Sequence, residues 1–256
     1  SGGVMLPNHA PLVIAEQFGT LASIYPSRIE LGLGRAPGTD QMTARALRRD
    51  LLGGEDRFPQ DVRELQHYFG PIQEGQAVKA IPGANTEVPI WILGSSLYGA
   101  QLAAHFGLPY AFASHFAPDQ LLDAMKIYRE LFKPSDKLDK PYSAFVMNVV
   151  AADTDEEAQH LFTTLQQNVI RMRRNTRGQL PPPIADLDDF CEPHEKMTAA
   201  HTLQVSAVGS LENVQKTMRH WLDLTGADEL IMTGQIFDHQ ARLKSFEIAA
   251  QAAQGL

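Results

Sequence analysis

The chain has 256 residues, 44% hydrophobic and 20% charged, a balance that suits a globular protein with a sizeable core. Its formal charge of -8 excludes the basic face that binding to a nucleic-acid backbone requires, which leaves small-molecule chemistry as the expectation. The single cysteine, Cys191, excludes an internal disulfide and a cysteine-based metal cluster and points to a reducing cytoplasm; no apolar run reaches the roughly 18 residues of a membrane span, and no charged-then-apolar leader opens the chain.

In chain order, Val4-Met5-Leu6 is a short apolar run stopped by Pro7, and residues 12–24 carry the 3.6-residue apolar spacing of a helix. Residues 29–33 read as the next strand, followed by helical stretches at 42–52 and 61–69. The apolar run from Pro89 closes on the small residues Gly94-Ser95-Ser96, and a helix over 98–106 is ended by Gly107. A strand at 110–113 leads to an amphipathic helix at 118–132, then a long strand at 142–152 and a helix at 155–174, in which Phe162, Leu165 and Val169 form a core stripe. Residues 176–193 break the pattern with Pro181-Pro182-Pro183 and the acidic Asp186, Asp188 and Asp189, and read as an inserted loop or lid. A helix at 211–224, a strand at 229–233 and a terminal helix at 238–253 complete the chain.

Repeated strand-helix alternation argues for a parallel sheet with helical crossovers, either doubly wound or closed into a barrel. Periodicity does not choose between these. Gly32 and Gly34 are followed by Pro37 where a dinucleotide fingerprint needs its third glycine, so a dinucleotide site is disfavoured. Residues 28–38 instead read as a buried strand ending in Arg35 among glycines, a cation placed where backbone approaches closely, which suits an anion such as phosphate. The histidines are scattered, with no His-x-x-x-His pair beside an acid, and no metal site is expected.

Gly2-Gly3-Val4-Met5-Leu6-Pro7, Leu31-Gly32-Leu33-Gly34-Arg35, Arg45-Ala46-Leu47, Ile92-Leu93-Gly94-Ser95-Ser96 and Ala103-Ala104-His105-Phe106-Gly107 together resemble the bacterial luciferase-like flavin monooxygenases, in order and through nearly the whole chain. The resemblance is nearest to a subgroup of undefined substrate. It implies an α/β fold of the TIM (β/α)8 barrel type in one domain spanning 1–256, with the loop or lid at about 176–193. It also implies that the chain, opening on Ser1-Gly2-Gly3, starts at the end of the third barrel strand and lacks the first two strand-helix units, so that a family histidine near the flavin falls before residue 1.

The same resemblance implies reduced FMN as cosubstrate, delivered by a separate flavin reductase, with molecular oxygen used on a small organic substrate by a homodimer. The family's phosphate contacts carry over to Arg35, Arg45, Ser95 and Ser96, with Leu93 and Gly94 at the same strand end. Two guanidinium groups, hydroxyls and a helix N-terminus suit a phosphate dianion. The plainer alternatives are a salt bridge for Arg35, a helix cap for Ser95, and for Arg45 a solvated face shared with Arg48 and Arg49. Gly2 and Gly3 match a pair that lies beneath the flavin ring in the family. Bacterial luciferase itself has a reactive cysteine where this chain has Gly34 and a glutamate where it has Ser95, which argues against light emission from a long-chain aldehyde.

By placement alone, His115 at a strand end is the candidate general acid or base, because histidine titrates near neutrality. Asn8 and His9 either line the flavin pocket or open the first helix, and Gln235, Asp238 and His239 follow the last strand, with Asp238 favoured as a helix cap. Three rival functions share these residues. A deazaflavin-dependent dehydrogenase would use the same fold, a flavin-binding protein without catalysis would keep the phosphate contacts, and a sugar-phosphate isomerase or aldolase would use Arg35 but lacks a lysine at a strand end.

Overall fold

The computed structural model describes residues 3–36, 42, 43, 46, 57–176 and 178–256. Cα packing divides the chain into two compact units, Ser1–Ala111 with Ile127–Tyr142, and Phe112–Lys126 with Ser143–Leu256. The predicted helix over 42–52 lies largely outside the described residues, as do Gly2 and Arg45.

The first unit carries β1 (Val4–Met5), a single 3-10 turn at Leu6–Asn8, α1 (Pro11–Ile24), β2 (Leu31–Gly34), α2 (Phe58–Phe69), β3 (Ile90–Gly94) and α3 (Leu97–Phe106). The three strands are parallel, Val4 opposite Leu33, and Leu31 to Gly34 opposite Ile90 to Leu93. A parallel strand is covered on both faces, which is why β3 reads as an unbroken apolar run with Ile90, Trp91 and Ile92 buried. The one polar atom of Trp91 is satisfied, its Nε1 donating to Glu30 Oε2 at 2.8 Å. Gly107 ends α3 in the left-handed region at φ 62°, as its residue type predicts, and a Cβ there would stand 2.6 Å from the Lys133 carbonyl oxygen.

α1 packs against α2 and against the turn around Gly83 through a glycine-glycine contact. A Cβ on Gly19 would lie 2.2 Å from Gly83 Cα, and one on Gly83 would lie 2.7 Å from the Ala15 carbonyl oxygen. Both obstructions are backbone, so neither yields by rotating a side chain. Gly19→Val is therefore expected to lose about 1–3 kcal/mol to overpacking, more than any helix-propensity gain, and to lower the thermal unfolding midpoint by roughly 2–10 °C. A melting curve unchanged from the parent would show that the two segments separate without cost.

The division between the units falls within β4 (Tyr110–Phe112) and within α4 (Leu121–Leu131). The second unit then carries β5 (Ser143–Ala151), α5 (Asp155–Arg173), α6 (Pro193–Thr202), β6 (Ser206–Gly209), α7 (Leu211–Thr225), β7 (Glu229–Thr233) and α8 (His239–Gln254). β5 is long enough to serve two parallel partners, with Asn148 to Ala151 opposite Ser206 to Gly209 and Ala144 to Asn148 opposite Glu229 to Thr233. α5 starts at Thr154, whose hydroxyl accepts from the Glu157 N–H. It carries Asp155, Glu156 and Glu157 in its first turn and Arg171 and Arg173 in its last, each matched to the helix dipole. Phe162, Leu165 and Val169 lie in this unit's core with Leu187, Ala199 and Leu203.

The irregular segment that follows α5 is tied to it by backbone carbonyls rather than by apolar periodicity. Thr164 Oγ1 donates to Pro181 O at 3.1 Å, Gln167 Nε2 to Pro182 O at 2.9 Å, and Thr163 Oγ1 accepts from the Ile184 N–H at 2.9 Å. α6 and β6 were not predicted. α6 buries only Ala199 and Thr202, too few for a stripe, and its start is set by a reciprocal Glu192–Glu195 capping box and by Pro193. Arg174 reinforces that start, its Nε donating to Glu195 Oε1 at 2.7 Å; these bonds hold the Glu195 carboxyl down at about 2.

Candidate functional site

The register of the first unit aligns the carboxyl ends of its strands. Met5 lies opposite Gly34, and Gly34 opposite Leu93, so Arg35 on one strand end and Gly94-Ser95-Ser96 on the next are neighbours. Parallel α/β folds carry ligands at this end of the strands. Arg35 is exposed, and its Cζ stands 4.2 Å from the centroid of the Tyr98 ring. Tyr98 belongs to the first turn of α3, so a stacking contact brings the guanidinium to that helix N-terminus.

Ser96 is the N-cap residue of α3, with extended φ and ψ of -149° and 168°. Its side chain makes no capping hydrogen bond and the first turn holds no acidic residue. The capping alternative for Ser95 is thereby set aside: the cap position belongs to Ser96, and both serines are exposed. Gly94 allows the strand end and the helix to close on each other, since a Cβ on Gly99 would meet Gly94 Cα at 3.3 Å and the Tyr110 ring at 3.3 Å. Gly3 lies against Leu93, where a Cβ would stand 2.2 Å from Leu93 Cδ1, so glycine there lets the start of the chain pack directly on the Leu93 side chain.

Arg35, Leu93, Gly94, Ser95, Ser96 and Gly3 thus come together in one unit. Gly2 and Arg45 lie outside the described residues, and His115 belongs to the second unit. His115 follows β4, its ring edge-on to Phe116 at 4.7 Å, and its Nδ1 is buried with no hydrogen-bond partner among the described residues. Burial pushes its pKa down to about 4. At neutral pH the imidazole is therefore uncharged and a weak base, able to accept a hydrogen bond or a proton but not to serve as a resident acid.

Of the remaining candidates, Asp238, His239 and Gln235 have partners of their own. The helix α1 opens at Ala10 with Pro11 behind it, so neither Asn8 nor His9 caps it; Asn8 is buried at 4% exposure in the 3-10 turn. Asp238 caps α8, its Oδ1 accepting from the Ala241 N–H at 2.8 Å, His239 Nδ1 pairs with Arg242, and Gln235 accepts from Asn168. Tyr98 escaped the sequence reading because an aromatic residue in a helix first turn has no spacing signature, although its place two residues after Ser96 was a usable signal. Among the described residues, no cluster of three or more His, Cys, Asp or Glu side chains forms a metal site, and no helix is long and apolar enough to cross a membrane.

Parallel strands whose carboxyl ends carry Arg35 and the Gly94-Ser95-Ser96 turn are an α/β arrangement, and the chain belongs to the luciferase-like monooxygenase family, whose model matches residues 1–229. It is 53% identical over 256 residues to an Escherichia coli K12 protein called luciferase-like monooxygenase, spanning all of this chain and 76% of the relative. Among solved structures it is similar to apo-MsnO8, with a TM-score of 0.90 and 33% identity over 99% of this chain and 77% of that one. Two structures share the fold alone. One is the oxygenating constituent of 3,6-diketocamphane monooxygenase from Pseudomonas putida, in complex with FMN (TM-score 0.67, 16% identity, 96% of this chain and 76% of that one). The other is an F420-dependent secondary alcohol dehydrogenase (TM-score 0.60, 15% identity, 95% and 75%). The fold is thus the luciferase-like TIM barrel rather than a doubly wound sheet.

Proposed function

We propose that this chain is the oxygenating component of a two-component monooxygenase that uses reduced FMN, supplied by a separate flavin reductase, and molecular oxygen on a small organic substrate. The observation that carries the reading is the Arg35–Tyr98 stack beside the uncapped N-terminus of α3, with Ser95 and Ser96 exposed at the adjoining strand end. A guanidinium, two hydroxyls and the opening amides of a helix are the donor set a phosphate dianion takes.

When bound, reduced FMN supplies the activation of oxygen. The chain's own residues do the rest. Arg35, Ser95 and Ser96 fix the phosphate and so the depth of the ring, and Tyr98 holds Arg35 in place. His115, neutral at working pH, offers a ring nitrogen to the substrate or takes up a proton. The homodimeric state belongs to the same proposal.

The test is anaerobic titration with reduced FMN followed by oxygen uptake with candidate organic substrates. Tight binding with substrate-dependent oxygen consumption is expected. Hydride transfer from an organic substrate to an added oxidised deazaflavin, without oxygen uptake, would replace this reading with the dehydrogenase chemistry named for the F420-dependent structural neighbour. Binding without any turnover would leave a flavin-binding protein.

A further inference from the structure

β5 is built from Ser, Ala, Phe, Val and Met, apart from one amide, Asn148, which is 1% exposed. Burying an amide is costly unless it is hydrogen-bonded, and valine or methionine fills the neighbouring positions, so packing alone does not account for it. Its backbone N–H belongs to the ladder, donating to Val205 O at 3.2 Å. Its side chain does something else. Nδ2 donates to the carbonyl oxygen of His115 at 2.7 Å and to Ser206 Oγ at 3.3 Å, while Ser206 in turn donates to Leu203 O at 2.6 Å.

A second bond lies beside the first. Ser114, fully buried, donates from Oγ to Val146 O at 2.6 Å. Two consecutive residues of the turn after β4 are therefore tied to positions 146 and 148 of β5, which share one side of the strand. With its backbone held at both points and its ring edge-on to Phe116, His115 has little freedom to turn, and its buried Nδ1 is left without a partner among the described residues. A buried ring nitrogen held rigidly and unpaired costs free energy unless a ligand completes it.

We propose that Asn148 is a positioning residue that, through the His115 carbonyl and backed by Ser206, aims the His115 imidazole at a polar group of the bound organic substrate. The assignment of that substrate's oxidation rests on the monooxygenase reading above; the clamp itself does not.

The experiment follows the histidine ring signals of the whole chain by NMR, with the His115 signal assigned by its loss in His115→Phe, alongside FMN affinity and turnover. In Asn148→Val the strand keeps a residue type it already uses. The His115 signal is expected to shift, its titration to move from about 4 toward the ordinary 6.5, and turnover to fall about ten- to one-hundred-fold, with FMN affinity unchanged. Ser206→Ala is expected to shift the same signal by less, and it decides the matter should the valine variant not fold. An unmoved His115 signal in the folded variant would overturn the proposal, as would equal loss of FMN affinity and turnover. If the parent protein consumes no oxygen with reduced FMN, the functional reading fails while the NMR outcome still decides the clamp.

Discussion

Arg35→Ala is expected to weaken binding of FMN about ten- to one-hundred-fold while leaving binding of riboflavin, which lacks the phosphate, unchanged. Hydrogen bonds to a charged group are worth roughly 1.5–3 kcal/mol, and every 1.4 kcal/mol is a factor of about ten in affinity. The exposed setting of Arg35 places the loss at the lower end of that range, because solvent screens a surface charge. Arg35→Lys is expected to recover only part of the affinity, since an ammonium keeps the charge but neither the planar fork nor the stacking face. Tyr98→Leu removes the platform at 4.2 Å and is expected to cost about two- to fivefold, the size of an exposed cation–π contact. Flavin fluorescence titration measures all three. Equal weakening toward riboflavin would show that Arg35 acts on the ring or on the fold and not on phosphate.

His115→Phe is expected to lower turnover about one-hundred-fold with FMN affinity unchanged, the ordinary scale of a lost acid-base group. A phenyl ring keeps the packing against Phe116 and removes both ring nitrogens. The pH dependence of stability supplies an independent check. The folded state holds His115 at about 4 against 6.5 in the unfolded chain, so the unfolded state takes up the proton first as pH falls. The stability contributed by neutral His115 is complete above 6.5 and is lost progressively from there down to about 4. Denaturant unfolding of the parent should therefore weaken between those pH values relative to His115→Phe. Parallel curves for the two proteins would mean that His115 is no less hydrated than in the unfolded chain.

Much of this architecture was legible in residue order. β3 is announced by Pro89 and closed by Gly94, α3 is stopped by Gly107, and Asp238 has the residue type and position of a helix cap; each is a local matter of backbone freedom or short-range hydrogen bonding. β6 was not legible, because Ser-Ala-Val-Gly is too short for a period and becomes a strand only by pairing with the last residues of β5. α6 was missed for a related reason: its start depends on a capping box and on Arg174, some twenty residues earlier, and not on an apolar stripe.

The candidate site divides in the same way. Arg35 at a strand end, the serine pair before a helix, and the glycines around them are visible along the chain because the phosphate binding proposed for them uses local devices, a strand end and a helix N-terminus. Sequence alone determined those devices and the family they resemble. Only the tertiary structure decided that Gly34 stands opposite Leu93, that Tyr98 carries the Arg35 guanidinium, that Asn148 holds the His115 carbonyl, and that His115 is neutral at working pH. Register, stacking and desolvation depend on atoms brought near from distant parts of the chain, and a list of neighbours in sequence does not contain them.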